Sequence, residues 1–167
     1  MIIKAIAMAG GLAGAVGLSQ FPEYSQQYTQ RLSGAVEELS AVVAQFDADA
    51  AGLGLSREAA LRDLRQGSRM GEARAISMGH VLARHQRLSA DLAAITDSTP
   101  LAKLLNAGRF TDVDLARKAW ADFKPAVPVT GEGLGLAGLG FVAGYGLLAG
   151  LIGGLSRLGR RRRASAA

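Results

Sequence analysis

His80 and His85 are the only imidazoles in the chain. Five residues apart on a helix, they point about 140° away from each other and are badly placed to share a metal ion. His85 falls on an apolar seam, which suits a satisfied core or interfacial histidine. Glu37 and Glu38 are adjacent and diverge, while Asp47 and Asp49 lack the oxygen count of a calcium loop. The glycines of the last apolar run lie among leucines with no Lys-Ser/Thr following, so they read as packing glycines and not a phosphate loop. No nucleophile elbow supports a Ser-His-Asp triad. The absence of cysteine excludes disulfides, thiolate catalysis and Cys-based metal sites. These residues predict no catalytic site, no cofactor and no metal: the chain reads as a non-enzyme.

The elements that would position any function are set by two apolar runs. Gly133 to Ser156 carries no charge over twenty-four residues and is followed by Arg157 and by Arg160, Arg161, Arg162 and Arg163. As a helix this run is about 36 Å long, enough to cross a hydrocarbon core of ~30 Å. The basic cluster at its end reads as a cytoplasmic anchor. Met1 to Leu18 carries only Lys4 and is rich in glycine and alanine. It reads either as a signal peptide, with Ala13 and Ala15 suited to cleavage, or as a short first membrane helix. The retained helix is favoured, because its glycines would pair with those of the second span. With Lys4 and the arginines both inside, the middle of the chain lies outside the cytoplasm. In a Gram-negative cell that is the periplasm.

Nine aromatic residues in 167 and an abundance of Gly and Ala suit close-packed helices better than strands. The expected class is all-α. It comprises a transmembrane helix or signal peptide over 1–21, a helical domain over 22–128, a second transmembrane helix over 131–156 and a basic tail over 157–167. Between Phe21 and Pro128, thirteen Lys and Arg balance thirteen Asp and Glu, so the net +5 sits at the apolar ends. That is a topology signal, and it fits contact with anionic membrane lipid better than nucleic acid.

Pro22 opens the first long helix. Tyr28, Leu32, Ala35, Leu39, Val42 and Phe46 then alternate four and three, a heptad seam over 22–50. Asp47 to Leu55 reads as a turn, and Ser56 as the N-cap of a second helix over 56–97. Its inward positions are Leu61, Leu64, Ser68, Gly71, Ala75 and Met78. The two seams predict an antiparallel, coiled-coil-like hairpin with Leu39 level with Leu64, Leu32 with Gly71 and Tyr28 with Ala75. In that register Gly71→Leu would overpack, at about 1–3 kcal/mol. The register also places residue 81 level with Pro22, although the apolar pattern runs on to Ile95. The successive threes at Ala75, Met78 and Val81, beside Gly79, therefore predict a bend there or passage beside the first membrane helix.

Thr99-Pro100 starts a short helix over 100–108. Thr111 to Asp114 has capping-box spacing, with Phe110 and Leu115 as its staple, ahead of a helix over 112–124. Trp120 and Phe123 suit either a helix at the membrane surface or plain core packing. In the last span Gly146, Gly150 and Gly154 repeat every four residues, and Gly140 with Gly144 forms another pair. Small residues so spaced let membrane helices touch. The partner is either the protein's own first span, through Gly10 and Gly14, or another chain.

Two stretches carry a resemblance. One is the Gly/Ala span ending in Gln20, Phe21, Pro22, Glu23 and Tyr24; the other runs from Trp120 to Gly133 through Phe123, Pro125, Pro128 and Glu132. With them the chain resembles a family of small proteobacterial two-span inner-membrane proteins of unknown function, which implies no activity and no site residues. A looser similarity is to polysaccharide chain-length regulators, of whose proline pattern Pro125 and Pro128 match only part. The expected role is an inner-membrane scaffold or accessory subunit that forms a homo-oligomer or binds an integral-membrane partner. The alternative is a regulator of envelope polysaccharide assembly or a pore-forming oligomer.

Overall fold

The computed structural model describes the backbone of residues 2–125 and 127–164 and the side chains of 4–125 and 127–155. The chain is all-α: α1 (Ile2–Ser19), α2 (Phe21–Gly52), α3 (Arg57–Gly67), α4 (Arg69–Ile95), α5 (Pro100–Leu105), a 3-10 turn (Ala107–Arg109), α6 (Val113–Ala121) and α7 (Gly131–Ala164). No strand occurs among the described residues. The helices form two compact units, Met1–Ser25 with Phe123–Ala167 and Gln26–Asp122.

The first unit is an antiparallel pair. Gly10 of α1 lies against Gly144 of α7, and Gly14 against Gly140. This pairing puts the start of α1 and the end of α7 at the same end of the unit. Ala7, Gly11, Leu136 and Gly140 face inward. Outward stand large apolar side chains: Leu12 and Val16 on α1, and Val142, Leu147, Leu151 and Leu155 on α7, each 58% exposed or more. Two stretches, in Lys4–Gly52 and Gly131–Leu155, are long and apolar enough to cross a membrane, and only 17% and 11% of their most apolar windows is buried. A core helix of a soluble protein would be mostly buried, and these two are not.

The second unit is built on a different plan. Its core is Tyr28, Leu32, Val43 and Ala50 from α2, Ala60 from α3, Ala75, Met78, Leu88 and Ile95 from α4, and Leu115 and Ala119 from α6. The α2 seam follows the expected positions, Phe46 included, with one exception. Val43 is buried while Val42 is 39% exposed. α2 also runs on to Gly52, past the turn expected from Asp47. It stops where Gly54 takes a φ of +70°, a left-handed conformation that favours glycine. There the Leu55 N–H donates to Ala50 O at 2.9 Å.

In place of one helix over 56–97 there are two, and the break lies at Gly67-Ser68 rather than at Gly79. Ser56 caps α3 by accepting from the Ala59 N–H at 3.2 Å, and Ser68 caps α4 by accepting from the Gly71 N–H at 3.0 Å. Ser68 has extended backbone, φ −147° and ψ 166°, which ends one helix and starts the next. The break changes the register. Ser40 Oγ lies 2.8 Å from His85 Nε2, whereas the expected hairpin puts Ser40 level with residue 63. Because eleven residues are diverted into α3, α4 begins later along α2, and it runs unbroken through Gly79 to Ile95. Gly71 accordingly sits in the angle between α3 and α4, not opposite Leu32. A Cβ there would overlap the Leu64 carbonyl.

Thr99 caps α5 with Pro100 in its first turn. α6 starts one residue later than its capping-box spacing predicts. Asp112, not Thr111, accepts from the N–H three residues on, that of Leu115, at 3.1 Å.

Candidate functional site

Two constructions stand out: a glycine seam in the first unit and a buried aspartate cluster in the second. The seam is a contact of backbone with backbone. A Cβ on Gly14 would overlap the Gly140 carbonyl, one on Gly140 the Gly14 carbonyl, and one on Gly144 the Gly10 carbonyl. A Cβ on Gly11 would come within 2.7 Å of the Phe141 ring. Helix glycines cost about 1 kcal/mol relative to alanine in water. Here they permit a helix separation that no side chain would allow.

The other α7 glycines of interest face elsewhere. Nothing lies within 4 Å of a Cβ built on Gly146, Gly150 or Gly154. One set, Gly140 and Gly144, is thus closed by α1, and the other lies open beside exposed Leu147 and Leu151. The side chains of Arg157 and Arg160 to Arg163 lie outside those described. Trp120 is 67% exposed on α6. Phe123 is half-buried and meets Tyr24 edge-on, with ring centroids 6.4 Å apart.

The aspartate cluster has no counterpart in the sequence reading. Asp91 of α4 and Asp112 at the start of α6 are 3% and 7% exposed. Asp91 accepts from Thr111 Oγ1 at 2.9 Å and from an Arg109 guanidinium nitrogen at 3.4 Å. Asp112 accepts from Arg84 at 2.9 Å in addition to capping α6. Its backbone N–H donates to the Tyr28 hydroxyl at 3.4 Å, and the Tyr28 ring lies 4.6 Å from that of Phe110. Two carboxylates therefore tie residues 109–115 to α4, and Tyr28 ties them to α2. Thr111 is absent from the cap because its hydroxyl is engaged by Asp91. Each partner is 18 to 84 residues away, so no local spacing could reveal the cluster.

Each side-chain bond in it joins one part of the chain to another. Among the described residues no buried side-chain nitrogen or oxygen lacks a hydrogen-bond partner. No group of three or more His, Asp or Glu gathers there to hold a metal ion. His85 is half-buried and bonded to Ser40. At the far end of α2, Arg57 grips Asp47 with two bonds of 2.8 and 2.5 Å. The hydrogen bond from Arg57 holds the Asp47 carboxyl below the usual aspartate range.

Fold and site together define an all-α protein with two helices long and apolar enough to cross a membrane. Within that class, the chain belongs to the family described as protein of unknown function (DUF2937), whose model matches residues 2–161. No curated protein matches the chain, and no solved structure does.

Proposed function

We propose that this protein is a non-enzymatic inner-membrane scaffold or accessory subunit that associates with copies of itself or with an integral-membrane partner. The observation that carries the reading is the division of the α7 glycines. The internal partner α1 covers Gly140 and Gly144 and leaves Gly146, Gly150 and Gly154 with open space where a second helix would fit. Small residues at this spacing are a recurrent means of close helix association in lipid, where apolar burial alone gives no drive.

In this reading α1 is retained as a membrane helix, with lipid around the outward leucines. Residues 22–128 form a periplasmic domain. Both termini are cytoplasmic, since α1 and α7 are antiparallel and the excess positive charge lies at their shared end. Trp120, exposed on α6, suits the membrane–water interface.

Purification from the native membrane in mild detergent, followed by native mass spectrometry, tests the reading. The expected result is a single species at a multiple of 17.3 kDa, or a fixed ratio with a foreign membrane protein. A ring of many copies would turn the reading towards a pore-forming or polysaccharide-regulating oligomer. A lone 17.3 kDa chain would overturn it.

A further inference from the structure

Between the last three turns of α2 and the α3–α4 pair lies a groove of about 570 Å³, within the usual size range of small-molecule sites. Its floor is apolar: Met78 is buried, and Phe46 and Leu64 are half-buried. α2 supplies one wall, and α3 with the start of α4, which the break at Ser68 separates, supplies the other. Three charged side chains line it: Asp49, Asp63 and Arg74. None of them enters an ion pair within the second unit, and Asp49 accepts only a 2.8 Å bond from the Gln45 amide. The lining thus carries an excess negative charge over an apolar floor.

We infer that this groove is a binding site for a small apolar amine, a molecule with a hydrocarbon body and one ammonium group. The body covers Phe46, Leu64 and Met78, and the ammonium sits at the rim with Asp49 and Asp63. An ammonium beside two unpaired carboxylates gains charge-assisted hydrogen bonds without the cost of burying a charge alone. A carboxylate head on the same hydrocarbon would meet two acids against the single Arg74, a net repulsion. The sign of the ligand charge is therefore the specific content of the inference. It is independent of whether the protein self-associates.

The test uses the full chain in detergent-free lipid nanodiscs, with empty discs subtracted to remove partitioning into lipid. Three probes share one hydrocarbon body: octylamine, octanoate and octanol. Calorimetric titration is expected to show saturable octylamine binding at least tenfold tighter than either of the others. D63N combined with D49N should reduce octylamine affinity about tenfold while leaving octanol unchanged. Both positions are exposed, so the fold should survive, and a helical circular dichroism spectrum checks this. Ala41→Trp, at another exposed lining position, should block all three probes by filling the groove. Equal affinity for octylamine and octanoate would overturn the inference. So would the absence of saturable octylamine binding, or octylamine binding that survives Ala41→Trp.

Discussion

The two units hold helices together by opposite means. In the α1–α7 pair the contact is made by what is missing, since glycine carbonyls and Cα atoms meet where side chains would stand. In residues 26–122 the contact is made by what is present. Tyr28, Leu32, Leu88 and Ile95 are fully buried, and two aspartates bond residues 109–115 to α4. In the membrane reading proposed above, the difference follows the solvent. Lipid gives apolar side chains no reason to leave it, so helices gain by close backbone approach. Water drives large apolar groups inward and requires that any carboxylate buried with them be bonded.

Opposite means should fail under opposite substitutions. The largest effect is expected from Leu88→Ala, which leaves a cavity in the second unit and costs about 2–5 kcal/mol. Denaturation followed by helical signal should show that unit melting early while the α1–α7 pair persists. Next comes Gly14→Leu, which forces a side chain into the Gly140 backbone and costs about 1–3 kcal/mol or more. Here the first unit should loosen and the core around Leu88 should not. Asp112→Ala removes a helix cap and leaves Arg84 without its carboxylate, for about 1–2 kcal/mol. Hydrogen exchange should quicken first in α6.

A subtler pair sharpens the comparison, because the same change should have opposite signs. Gly34→Ala, in α2 with open space around it, should stabilise by up to about 1 kcal/mol. Gly14→Ala should destabilise despite the same gain in helix propensity. Equal signs in thermal melts would break the contrast.

The smallest effect concerns the Asp47–Arg57 pair. The Asp47 carboxyl is held below its ordinary value, so the folded state binds fewer protons there than the unfolded chain. Its contribution is present above the ordinary aspartate pKa of about 3.9 and is lost as pH falls through the depressed value. Asp47→Asn should remove that part of the acid dependence and little else, because both side chains are substantially exposed.

What could be read beforehand also divides along this line. The charge-free run is a local signal and located the apolar stretch of α7, but the glycine spacing left open which set meets α1, and the helix runs on through the basic residues to Ala164. Ser56 and Thr99-Pro100 marked helix starts for the same reason: a cap acts on the backbone three residues away. The break at Gly67-Ser68 was hidden because Ser68 also fitted the seam as a small inward residue. That single reading displaced the whole register between α2 and α4. Asp91 went unseen, and Asp112 was seen only as part of a capping box, because their other bonds join residues far apart in the chain. A polar residue's burial is decided by tertiary partners, which no period records.

The proposed association depends on the open face of α7. The chain has no cysteine, so single cysteines can be placed at Gly150 and, as a control, at Gly140. Oxidative cross-linking in intact native membranes, read on a non-reducing gel, is the direct measurement. The account predicts that the Gly150→Cys chain is trapped in an adduct, at twice 17.3 kDa or joined to one foreign membrane protein at its own cysteine. Gly140→Cys, against α1, should give none. If Gly150→Cys stays at 17.3 kDa, the open glycines meet no second chain and the proposed association is wrong.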